Sequence, residues 1–105
     1  MDPLSIRELR QSAGTQAETF LIHVQLVKLG QKTTRAGKPY YEIKLVDAED
    51  SLVLRAWNDT VAFTACASAN RGEFYAVEGQ FYLNAERNSI DGRDFSLKPL
   101  AEEAV

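Results

Sequence analysis

Tyr40-Tyr41-Glu42-Ile43-Lys44-Leu45-Val46-Asp47, a short acidic turn, and then Ser51-Leu52-Val53-Leu54-Arg55-Ala56-Trp57 followed by Asn58-Asp59-Thr60 form the run that decides the fold. Apolar residues alternate with period two on both sides of Ala48-Glu49-Asp50, the pattern of half-buried strands. Tyr41, Ile43 and Leu45 share one face, with Tyr40, Glu42, Lys44 and Val46 on the other. Leu52, Leu54 and Ala56 continue the apolar face, while Val53, Arg55 and Trp57 point the opposite way. Two strands joined so closely make an antiparallel hairpin.

The pattern then changes period. Asn58-Asp59-Thr60 offers N-cap oxygens, and Val61 to Ala69 is alanine-rich, with Ala62, Cys66 and Ala69 spaced for one helical face. A short helix is predicted there, stopped at Asn70-Arg71-Gly72. Working upstream, Phe20, Ile22, Val24 and Leu26 alternate with more polar neighbours in a long first strand that runs to Leu29-Gly30. Its alternation blurs after Leu26, which predicts a bend or bulge. Gln31 to Pro39 reads as a polar loop. Downstream, Phe74 to Leu83 returns to strand, with Tyr75, Val77, Phe81 and Leu83 inward and Gly79 among them, where a tight barrel bend or a close backbone approach needs no Cβ. Phe95 and Leu97 lie in a last strand. Its hairpin is either Asp91-Gly92 or the stretch Ala85 to Ser89.

Three strands, one short helix and two strands predict an all-β protein, a five-stranded OB-fold Greek-key barrel with the helix between strands 3 and 4. An SH3-like barrel lacks that helix, and a β-sandwich wants about seven strands. Residues 1–16 form a leader, 17–100 the OB domain and 101–105 a tail. Within the leader, Ile6 and Leu9 fit one docked helical turn as well as a loosely held segment. The expected core is Phe20, Ile22, Val24, Tyr41, Ile43, Leu45, Leu52, Leu54, Val77 and Phe81.

Several residues together resemble a known family. Thr33-Thr34-Arg35, Gly37-Lys38-Pro39-Tyr40, the strand ending at Asp47 and the next ending in Trp57-Asn58-Asp59 look like the nucleic-acid-binding OB domain of YhaM-type 3′–5′ exoribonucleases. Ile6, Leu9 and Phe20-Leu21-Ile22 are similar to that family's lead-in. The likeness spans residues 5–60, and its motif is shared with other anticodon-binding-type OB domains. One departure is the turn Ala48-Glu49-Asp50-Ser51, which has no glycine where the family commonly places one. The resemblance implies a bacterial module that binds single-stranded RNA or DNA, either alone or as the substrate-binding domain of a larger nuclease. The hydrolytic domain of that family, built on His and Asp metal ligands, has no counterpart here.

The composition bounds the function. The chain has 105 residues, 45% of them apolar and 26% charged, ordinary values for a globular domain. No apolar run approaches the roughly 20 residues needed to cross a bilayer, and no membrane partner is expected. One cysteine, Cys66, and no signal-peptide pattern point to a cytoplasmic location. A net charge of −3 argues against a strong salt-driven binder. Yet Lys28, Lys32, Arg35 and Lys38 cluster between residues 28 and 40 without an acid among them.

The outer surface of OB strands 2 and 3, with the 1–2 and 4–5 loops, is the usual ligand face. Tyr40, Lys44, Arg55 and Trp57 fall on it. The first loop adds Lys32, Arg35 and Lys38, and Arg87, with Arg93 beside it, lies near the last loop. Rings stack on unpaired bases while cations neutralise phosphates. Plainer roles compete: Tyr40 packing over its loop, Trp57 burying against the helix, and Lys44 or Arg55 pairing with Glu42. Catalysis is not expected, nor is any cofactor. His23 is the only histidine and faces outward, Cys66 reads as a small buried hydrophobe, and a zinc site needs three or four ligands. The rival reading is an OB module that binds a protein partner and no nucleic acid.

Overall fold

A computed structural model describes residues 2–100; the expected tail, 101–105, lies outside the described residues. The elements in chain order are α1 (Ile6–Ser12), β1 (Glu18–Thr33), β2 (Pro39–Val46), β3 (Ser51–Trp57), α2 (Val61–Ala67), β4 (Phe74–Asn84) and β5 (Ser89–Leu100). All strand pairs are antiparallel, in the order β3-β2-β1-β4-β5. The sheet curls until its edge strands β3 and β5 lie against one another, giving an all-β, barrel-like body with two short helices.

Long β1 holds this together by pairing with β4 through its first half and β2 through its second. The changeover is near Leu26, where Val27 drops out of register between Leu26 and Lys28. That bulge, where the alternation blurs, lets one strand serve two partners by turning it. The expected interior faces are the observed ones. Ile22, Val24, Ile43, Leu45, Leu52, Leu54, Val77 and Phe81 are buried, and Phe20 and Tyr41 pack against them while partly exposed.

Gly79 sits where β4 presses on β5. A Cβ there would overlap the Asp94 carbonyl and the Cα and Cβ of Phe95, so only glycine permits the approach. The β4–β5 turn falls at residues 85–88, closed by Asn88 at φ 49°, and Asp91-Gly92 lies inside β5. The register slips between Gln80↔Asp94 and Phe81↔Gly92, so Arg93 is a bulge residue, away from the turn near which it was expected.

Thr60 caps α2 by accepting from the Phe63 N–H at 3.2 Å, and the Asp94 carboxylate accepts from the Ala62 N–H at 3.0 Å. The helix is two residues shorter than predicted: it ends at Ala67 with Ser68 as its C-cap, before the expected stop at Asn70-Arg71-Gly72. Cys66 is buried on its inner face, and desolvation pushes the thiol pKa up to about 11.

The leader takes the docked helical form of its two expected alternatives, which adds a second short helix to the one expected between β3 and β4. Ser5 and Glu8 make a capping box around the start of α1, and Ile6 and Leu9 are wholly buried. The Asp47 carboxylate accepts from the Ile6 N–H at 2.7 Å, and Arg10 pairs with Asp50 at 2.8 Å, tying α1 to the β2–β3 turn. No helix among the described residues is long and apolar enough to cross a membrane.

Candidate nucleic-acid interface

Because residues directly opposite in an antiparallel ladder point to the same side, the register arranges the outer face of β1, β2 and β3 in three rows. Lys32, Tyr40 and Trp57 form the first, Gly30, Glu42 and Arg55 the second, and Lys28, Lys44 and Val53 the third. Successive rows are two residues apart along each strand, about 7 Å.

The first row carries the aromatics. Tyr40 and Trp57 have ring centroids 5.0 Å apart and planes tilted by 40°, and Trp57 keeps 39% of its surface exposed. An exposed indole leaning on a tyrosine is a ready surface for an unpaired base, since every base has a π-face. Beyond Trp57 a cleft opens between β3 and the β4–β5 hairpin, lined by Arg55, Trp57, Tyr82, Arg87, Asp91 and Gly92. A third ring, Tyr82, thereby joins the aromatic end.

The second row is an ion-pair centre. Glu42 accepts from Lys32 Nζ at 2.9 Å and sits 3.4 Å from Arg55. The hydrogen bond from Lys32, helped by the charges of Lys32 and Arg55, holds the Glu42 carboxyl below its ordinary range. The same bond to Glu42 raises Lys32. Across the cleft, Arg87 pairs with Asp91 at 2.6 Å, and Asp91 also accepts from the Asn84 amide at 2.9 Å. These exposed pairs contribute little to stability. They hold Arg55 and Arg87 at the cleft while offsetting their charge.

The β1–β2 turn projects from the aromatic end. Ladder pairing continues to Thr33↔Pro39, so only residues 34–38 form the turn. It is closed by the Thr34 N–H to the Lys38 carbonyl at 2.8 Å and the Gly37 N–H to Thr34 at 2.9 Å, with Gly37 at φ 83°. Arg35 and Lys38 are exposed, and neither has an ion-pair partner among the described residues.

The fold has a relative of known structure. The chain is similar to a chain in a structure of RecG bound to a three-way DNA junction, with a TM-score of 0.64 and 17% sequence identity. The match covers 84% of this chain and 12% of that one, so the likeness is to a small part of a much longer protein. At that identity it shows a shared fold. No family model matches the chain, and no curated protein matches its sequence.

The structure brings Tyr40, Trp57, Arg55, Lys32 and Arg87 to one end of this face, with Lys44 in the third row. Arg35 and Lys38 stand on the adjoining turn. Lys32 is not in a loop as expected; it is a strand residue held by Glu42. Burial of Trp57 against the helix is overturned, because Tyr41 on the inner face meets α2 instead, its ring 4.9 Å from Phe63. Tyr82 and Lys28 had gone unassigned. Tyr82 alternates outward in a strand whose inward set was legible, so periodicity alone was signal enough to find it.

Proposed function

We propose that this chain is an OB-fold module that binds single-stranded nucleic acid across the outer face of β1, β2 and β3. The Tyr40–Trp57 pair, with its indole exposed and its tyrosine half-buried, carries this reading. Buried aromatics serve packing, whereas a ring pair that presents an exposed indole among cations and beside an open cleft suits unpaired bases. The element order supports the OB assignment, with a helix between β3 and β4 and the edges β3 and β5 brought together, as in a partly open Greek-key barrel. The structural neighbour, whose structure was solved bound to a three-way DNA junction, supports a nucleic-acid ligand. The resemblance to YhaM-type exoribonucleases favours a place as the substrate-binding module beside a catalytic domain. This face performs no chemistry of its own; it holds an extended strand by stacking and by charge.

The single tryptophan makes the test direct, because Trp57 is both the probe and the site. Titrating short single-stranded DNA and RNA at low salt should quench its fluorescence, and added salt should reverse the effect. A duplex of the same sequence, whose bases are already stacked, should quench far less. An emission spectrum unmoved by every oligonucleotide would refute the reading and favour the protein-binding alternative.

A further inference from the structure

We propose that the phosphodiester backbone of the bound strand is gripped by Lys28 and Lys44, in the third row of the face. This inference rests on the single-strand reading above and deepens it. Lys28 of β1 and Lys44 of β2 are direct cross-strand partners, so their ammonium groups leave the same face side by side. Like charges placed opposite one another destabilise a sheet. Neither lysine has an ion-pair partner among the described residues, although Lys32, Arg55, Arg87 and Arg10 each have a carboxylate.

The two lysines line a recess of about 340 Å³ that also includes Glu42, Ser51 and Val53. Glu42 does not serve them: its two oxygens are directed at Lys32 and Arg55. Val53, 42% exposed, gives the recess an apolar wall against which a sugar fits. The bulge at Val27, next to Lys28, re-aims the strand at this point, a common use of bulges beside binding sites. The face therefore divides its work. Bases stack at the Tyr40–Trp57 end, where Glu42 and Asp91 offset Lys32, Arg55 and Arg87, and where Arg35 and Lys38, unpaired among the described residues, stand apart on the adjoining turn. Phosphates are taken about 13 Å along the strands, where two cations stand without an anion.

The test compares the salt dependence of Trp57 quenching by a short single-stranded oligonucleotide in three proteins. In Lys28→Gln/Lys44→Gln the slope of log affinity against log salt should fall by about 1.4, roughly 0.7 for each lost phosphate contact. In Arg93→Gln/Lys98→Gln, which removes two exposed β5 cations outside this face, the slope should stay at the wild-type value. The lysine variant should also melt no earlier than wild type, because it relieves a repulsion. Wild-type binding with an unchanged slope in the lysine variant would overturn the phosphate grip and leave the single-strand reading standing. An equal fall in both variants would replace the grip with diffuse charge. Absence of any wild-type quenching would overturn both.

Discussion

Replacing Tyr40 with alanine separates binding from packing at the aromatic end, and it leaves the fluorescent reporter in place. In the structure Tyr40 is half-buried, its ring centroid lies 5.0 Å from that of Trp57, and among the described residues no hydrogen bond of its hydroxyl ties it to the body. Its contact with Trp57 is then worth about 0.5–1.5 kcal/mol beyond the area that the half-buried ring covers. A fully buried ring would contribute on the order of 3–5 kcal/mol. At roughly 4–8 °C per kcal/mol for a domain of this size, loss of that contact in Tyr40→Ala should lower melting by up to about 12 °C, well short of the loss of a fully buried ring. If bases stack on the ring, its loss should cost roughly 1–3 kcal/mol of binding, which is about 5- to 150-fold in Kd. The assays are thermal unfolding by circular dichroism and the Trp57 titration with single-stranded oligonucleotides, both on the same preparation. A protein that binds as wild type does but unfolds some 20 °C early would show that Tyr40 is a structural residue and that the stacking argument is wrong.

Gly79→Ala should destabilise the fold by at least roughly 1–3 kcal/mol, since its Cβ meets backbone atoms of Asp94 and Phe95 that cannot rotate away. Gly30→Ala, whose Cβ meets open space, should leave melting almost unchanged. Leu9→Ala should cost about 2–5 kcal/mol, measured by urea unfolding, because α1 is a docked part of the core; a change below about 0.5 kcal/mol would mean that the helix is only loosely attached. Glu42 titrates lower in the folded chain than when unfolded, so its stabilising contribution is full above the ordinary carboxylate range and is lost as pH falls through the depressed value. Melting temperature plotted from pH 7 to pH 3 should therefore fall less steeply in Glu42→Gln than in wild type, and parallel curves would remove Glu42 from the acid limb.

The alternation of Tyr41, Ile43 and Leu45, then of Leu52 and Leu54, was enough to fix which side of each strand is buried. A strand has only two faces, and a one-residue slip would exchange them. The same periodicity placed the β1 bend near Leu26 and put Gly79 on the inner side, and the structure chose a close backbone approach over a tight bend there. Asn58-Asp59-Thr60 marked the start of α2 because a cap is a local, side-chain-to-backbone bond, and Thr60 is the one that makes it. Ser5 and Glu8 carried an equally local signal for α1, legible as a capping box. Whether that helix docks depended on Asp47, Asp50 and the interior that receives Ile6 and Leu9, and those lie some 40 residues away along the chain. The ion pairs were decided the same way. Lys44 and Arg55 were the candidate partners of Glu42, and only the register gave the carboxylate to Lys32 and Arg55 and left Lys28 facing Lys44. Local chemistry thus determined the elements and their inner faces, because neighbouring residues suffice to write those patterns. Tertiary structure decided which outer residues meet, because charge and stacking act across strands whose pairing no single strand encodes.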